Sequence, residues 1–199
     1  TYAVTARHVI SAMPLMVAAR IIDTPQQYGL HTPEYAPWLV ANFVLNRFPQ
    51  EQGNSELAWD NVVYGSPSLG YVVATHQHIR VAKPEHTIFT AYTALNHDTP
   101  QNIRRWLQEA DDQALLDMAA QDLLSVYGKS FWQHVGHIDL TLRGHAMSVP
   151  KVGYLDDENL LALRQHHSKL LFAHSDLSGY SVFEEAAYWG VEAAKKVLA

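Results

Sequence analysis

Residues 169–198, KLLFAHSDLSGYSVFEEAAYWGVEAAKKVL, hold the groups whose types and spacing could do chemistry. Asp176 stands where the apolar run Leu170 to Ala173 gives way to polar residues, as in a central strand that ends at a site. A carboxylate at such a tip can accept hydrogen bonds from a sugar or polyol hydroxyl, or it can simply order the turn. Ser181 and Glu184 have the spacing of a capping box, so a helix is expected to start at Ser181. Its first one or two N–H groups would stay free and point past the strand end, with the positive end of the helix dipole behind them. Val182, Ala186, Trp189, Gly190, Ala193 and Val197 share one face of that helix. Ala186, Gly190 and Ala193 keep the face small, so another backbone or a flat ligand could come close.

Other chemistry is less well supported. His76-x-His78 would put two imidazoles on one strand face, with His86 as a third ligand, but no carboxylate stands at a fixed spacing. No metal site is expected, and His166 and His167 suit a helix C-terminus. The chain has no cysteine, which excludes disulfides, thiolate metal sites and a cysteine nucleophile. A net charge of −6 without a basic run excludes a nucleic-acid footprint. No apolar stretch reaches the length of a membrane span. The absence of cysteine suits cytoplasm and periplasm alike.

The elements that must position these groups read as α+β. With 48% hydrophobic residues the chain can build a core. YAVTARHVISAMP reads as a strand from its first residues, and PLMVAARII as a short buried helix. Three prolines and a glycine make residues 24–37 a loop. Strands are expected in PWLVANFVLNRF, in a short segment before a Gly65-Ser66-Pro67 turn, over 70–80 and in HTIFTAYTALN, with a further turn at Gly53. Thr99 and Pro100 start a helix, and a second helix closes at Gly128. FWQHVGHIDLTLRGHAM returns to strand, and DDENLLALRQHH is a helix with an acidic first turn. The middle is therefore a mostly antiparallel sheet with helices inserted between its strands.

FAHSDLSGYSVFEEAAYWGVEAAKKVL resembles the C-terminal flavin-binding segment of the flavin-containing amine oxidase superfamily. Asp176 matches that segment's acidic position, Ser178-Gly179-Tyr180 its Ser-Gly-Tyr loop, and Ala193-Ala194 to Val197-Leu198 its closing pattern. His174 replaces a usual glycine, and Glu185 stands near another. ARHVISAMPLMVAARI resembles the family strand that leads from the FAD domain into the substrate domain, and TLRGHAMSVPKVGY the stretch before the last flavin strand.

The resemblance implies non-covalent FAD, held by Ser175, Asp176, Gly179, Tyr180, Ser181, Val182 and Phe183, with Asp176 on a ribityl hydroxyl. It puts His145 and Met147 near the reacting centre as candidate catalytic residues. It implies residues 1–22 and 151–199 in a Rossmann-like FAD domain and 23–150 in a substrate domain. The implied reaction is hydride transfer from a small-molecule substrate to flavin. A desaturase or isomerase of the same fold, and a non-catalytic binding subunit, are the alternatives. The chain's ten glycines include no Gly-x-Gly-x-x-Gly turn, the family's pyrophosphate cradle. An N-terminal FAD-binding half, from the same gene or a separate chain, is therefore an expected partner.

Overall fold

The computed structural model describes residues 2–30, 32–51, 57–77, 82 and 84–199. The expected turn at Gly53, and His78 with the end of the strand expected over 70–80, lie outside them. The chain divides into two compact units. One is Ala36–Ala146, and the other joins Thr1–Tyr35 to Met147–Ala199. Sequence reading puts the boundaries at 22/23 and 150/151. The contacts draw residues 23–35 and 147–150 into the terminal unit, where Val149 N–H donates to the Glu34 carbonyl at 2.7 Å.

The terminal unit is built around two parallel strands, β1 (Val9–Ser11) and β7 (Leu170–Phe172), paired Val9 with Leu170 and Ser11 with Phe172. Alternation puts Phe172 and Leu171 on opposite faces of β7, and both faces are covered. Phe172 joins Leu15, Ala18, Leu160, Leu163 and Leu177, brought by α1 (Leu15–Ile21), α4 (Glu158–Gln165) and the turn after β7. Leu171 and Ala173 pack on Ala193 of α5 (Phe183–Leu198). The strand expected from Tyr2 starts only at Val9, and residues 2–7 are exposed. Alternation alone does not make a strand where no neighbouring ladder takes its hydrogen bonds.

In the central unit, β2 (Tyr35–Leu45) alternates buried and half-buried residues along its whole length. It pairs antiparallel with β5 (Thr87–Ala94), from Trp38 opposite Ala94 to Leu45 opposite Thr87. The sheet order is β3 (Asp60–Asn61), β4 (Tyr71–Val73), β5, β2, β6 (Val135–Ser148). The strand expected over 70–80 is cut short, because residues 74–77 turn into a 3-10 helix. His76 therefore sits in a turn rather than on a strand face, and the two-residue strand spacing behind the metal reading does not apply to it.

Helices α2 (Pro100–Glu109) and α3 (Asp112–Tyr127) fall between β5 and β6. Thr99 caps α2 by accepting the Asn102 N–H, and Asp111 caps α3 through the Ala114 N–H. Leu39, Ala41, Phe43 and Leu45 of β2 share a core with Ala119, Ala120, Leu123, Tyr127 and Phe131. Phe43 meets Phe131 edge to face, with ring centroids 5.5 Å apart. The other face, with Trp38, Val40, Asn42 and Val44, is half-buried. Among the described residues no helix is long and apolar enough to cross a membrane.

Gly70 and Gly65 separate two costs of substitution. Both have positive φ, +94° and +81°, which disfavours a side chain by about 1–2 kcal/mol. A Cβ on Gly70 would also lie 1.9 Å from the Asn61 carbonyl oxygen, whereas at Gly65 no atom lies within 4 Å. Gly70→Ala is expected to destabilise by more than about 2 kcal/mol, and Gly65→Ala by only about 1. Urea unfolding of the two variants checks this, and equal costs would show that the close approach at Gly70 carries no weight.

Candidate functional site

The β7 strand ends in a 3-10 turn, Ser175–Leu177, that buries Asp176 to 1% exposure. Burial favours the protonated acid, yet the carboxyl is held below the usual carboxylate range. The opposing cause is a convergence of donors on one oxygen. Asp176 Oδ2 accepts the Leu15 N–H at 2.9 Å and the Tyr35 hydroxyl at 2.5 Å. His174 Nδ1 lies 3.2 Å from Oδ2 and 3.1 Å from the Asp176 amide nitrogen. A protonated Nδ1 donates to the carboxylate, and a bare one accepts the amide N–H. No hydrogen bond among the described residues reaches Oδ1. Tyr35 is pushed up in turn, first by burial and then by its bond to the charged Asp176.

The loop after Asp176 is braced within the same unit. Tyr154 donates its hydroxyl to the Asp176 carbonyl at 2.7 Å, and burial pushes this phenol up to about 12. Arg164 donates through Nε to the Leu177 carbonyl at 2.6 Å and through Nη1 to the Leu155 carbonyl at 3.1 Å. Trp189 donates its indole N–H to the Ser178 hydroxyl at 2.6 Å. Gly179 has φ +74°, and a Cβ there would meet the Tyr154 ring at 2.8 Å.

The expected capping box does not form. Val182 rather than Ser181 occupies the cap position of α5, and no side chain caps the helix. The Val182 N–H donates back to the Tyr180 carbonyl at 2.9 Å, which tightens the turn and moves Ser181 one residue out of capping register. The first N–H groups of a 16-residue helix are thus left without a side-chain partner.

The candidate cofactor residues separate by exposure. Ser175, Asp176 and Gly179 are buried, Ser181 is intermediate, and Tyr180, Val182 and Phe183 are exposed, Phe183 at 81%. Gly190 on α5 has no heavy atom within 4 Å of where a Cβ would stand, so the small face is open there. His145 and Met147 are both exposed near the end of β6, His145 in the central unit and Met147 in the terminal one. In the central unit, the half-buried sheet face carries Trp38 stacked on Tyr92, with centroids 6.5 Å apart. Tyr92 donates to Asp60 at 2.8 Å, and burial with this bond lifts its phenol to about 12.

Sequence reading missed Tyr35, Tyr154 and Arg164. Each acts on the 174–180 loop from a remote or separate element, and Tyr35 lies 141 positions from Asp176. No periodicity marks such a pair.

Protein-family models and curated proteins give no match to the chain. Among solved structures it is similar to a protein described as "Putative protoporphyrinogen oxidase" from Exiguobacterium sp. 255-15, with TM-score 0.59 and 13% identity. The match covers 96% of this chain and 41% of that one. At this identity the likeness is one of fold, and the chain spans less than half the length of that protein.

The Asp176 cluster makes stability depend on pH in a defined direction. Its folded pKa lies below the unfolded value of about 3.9. The unfolded state therefore binds more protons between the two values, and stability rises with pH across that window. The contribution is complete above the unfolded value and is lost as pH falls through the folded one. Urea midpoints measured from pH 6 down to pH 3 are expected to fall less steeply for Asp176→Asn than for the wild type. Identical slopes would mean that the carboxylate is not held in its charged form.

Proposed function

We propose that this chain supplies the substrate domain and the last flavin-binding strand and helix of an FAD-dependent oxidoreductase of the amine oxidase type. The observation that carries this reading is the asymmetry of Asp176. Its Oδ2 is engaged by the protein, while Oδ1 accepts nothing among the described residues. Oδ1 is not among the fully buried atoms that lack a partner, so a ligand that binds here must bring a hydroxyl or N–H to it. A ribityl hydroxyl fits that requirement. The uncapped start of α5, with exposed Tyr180, Val182 and Phe183 before it, offers N–H donors to a flavin oxygen and apolar surface to its ring. The fold shared with the solved oxidase, itself much longer, supports the same reading.

Asp176 and the Ser175–Phe183 segment would thus hold FAD. When bound, the flavin supplies the redox chemistry by accepting a hydride from a substrate C–H. In the central unit by itself, the half-buried sheet face around Trp38 and Tyr92 is the surface proposed for a small-molecule substrate. His145 and Met147 are the candidate catalytic residues. The rest of the FAD domain, in the same gene or a second chain, is the proposed partner. The exposed Val9 and Ile10 on β1 suit burial against it.

Asp176→Ala, made in the intact protein, is expected to weaken FAD retention roughly ten- to a hundred-fold. Asp176→Asn should cost less, because its amide oxygen still accepts. Glu185→Gln should leave retention unchanged. Flavin absorbance after gel filtration reads all three, and an Asp176→Ala protein that keeps FAD like the wild type would reduce Asp176 to a turn former. His145→Ala is expected to change turnover at unchanged flavin content, and unaltered kinetics would remove it from the site. An absorbance spectrum of the intact protein without flavin bands would overturn the whole reading.

A further inference from the structure

We infer that the central unit holds a binding site for a small carboxylate with an apolar body, in a cleft between the end of β2 and the end of α3. The inference is independent of the flavin reading. The cleft has a volume of about 410 Å3 and is lined by Arg47, Phe48, Pro49, Gln50, Tyr127, Ser130 and His134. No carboxylate lines it. Glu51 and Glu85 belong to an adjoining hollow that shares Arg47 to Gln50.

The chemistry follows from one hydrogen bond. Arg47 Nε donates to His134 Nδ1 at 3.1 Å. An imidazole that accepts at Nδ1 is neutral and carries its proton on Nε2, which makes Nε2 a donor. Desolvation and then the Arg47 charge both depress the imidazolium form of His134. Arg47 makes no ion pair among the described residues, and that bond to His134 engages one of its five N–H donors. An exposed guanidinium fork therefore stands beside an imidazole donor, with no carboxylate paired to it among the described residues; Glu51 acts on Tyr127 at the cleft's edge. Ser130 spends its hydroxyl proton on the Tyr127 carbonyl at 2.8 Å, which leaves the arginine and the histidine as the cleft's charged and ring donors. A planar carboxylate matches the fork. Phe48, Pro49 and the Tyr127 ring supply apolar wall for the rest of the ligand.

The probe is benzoate, added to the full chain at constant ionic strength, with benzamide as its neutral isostere. Arg47 is the charged group in contact with His134, and its charge does not titrate near neutral pH. Saturable binding of benzoate in the millimolar range is expected by NMR, weakened at least about tenfold by Arg47→Ala. The His134 ring should titrate at higher pH with benzoate present, because a bound anion favours the imidazolium, and benzamide should not move it. If Arg47→Ala fails to fold, Arg47→Lys tests the fork, since it keeps a charge but loses the bidentate geometry and should still weaken binding. Four outcomes overturn the inference. They are no saturable benzoate signal up to about 50 mM, equal binding of benzamide, wild-type affinity in the folded Arg47 variant, and an unmoved His134 titration.

Discussion

A single buried anion organises the terminal unit. Desolvation works to protonate Asp176, and the hydrogen bonds it accepts at Oδ2 outweigh that pressure. Its two settled donors, the Leu15 N–H and the Tyr35 hydroxyl, come from the first residue of α1 and the first residue of β2. The ion therefore fixes where α1 begins and where the chain leaves the terminal unit for the central sheet. Leu15 N–H is also one of the orphan donors of a helix start, and Pro14 before it provides no side-chain cap. A carboxylate from the far end of the chain does the capping instead.

The 174–180 loop inherits this order. Tyr154, Arg164 and Trp189 each hold one backbone or side-chain oxygen of the loop, at Asp176, Leu177 and Ser178 in turn. The acceptors are consecutive and the donors come from three separate elements, so the loop cannot shift as one piece without losing several bonds together. A site held this way keeps its geometry with little entropy left to lose on binding.

What could be read in the sequence was local. The alternation of β2 and β5, the Thr99-Pro100 start of α2 and the stop at Gly128 depend on neighbours within a few residues, and the structure has all of them. Asp176 was legible as a strand-tip carboxylate, but its partners were not, because Leu15 and Tyr35 reach it only through the tertiary fold. The capping box failed for a local reason of its own, since the turn closed by the Val182 N–H on the Tyr180 carbonyl has Val182 rather than Ser181 at the cap position. The non-strand at residues 2–7 has another cause, for a strand needs a partner ladder as well as a pattern, while β4 is cut short by the 3-10 helix at Ala74–Gln77.

The pairing of β1 with β7 carries a consequence for how the molecule comes into being. Leu15 and Asp176 are 161 positions apart, with the whole central unit between them. Closing a loop of that length rather than one of about 20 residues adds three doublings, or about 2 kcal/mol of chain entropy. The central unit does not wait for those ends, because all its strands lie between residues 35 and 148. During synthesis it can complete its own sheet while β7 is still inside the ribosome. β1 must then stay unpaired until β7, at residues 170–172, has emerged, so the terminal unit forms after the central one.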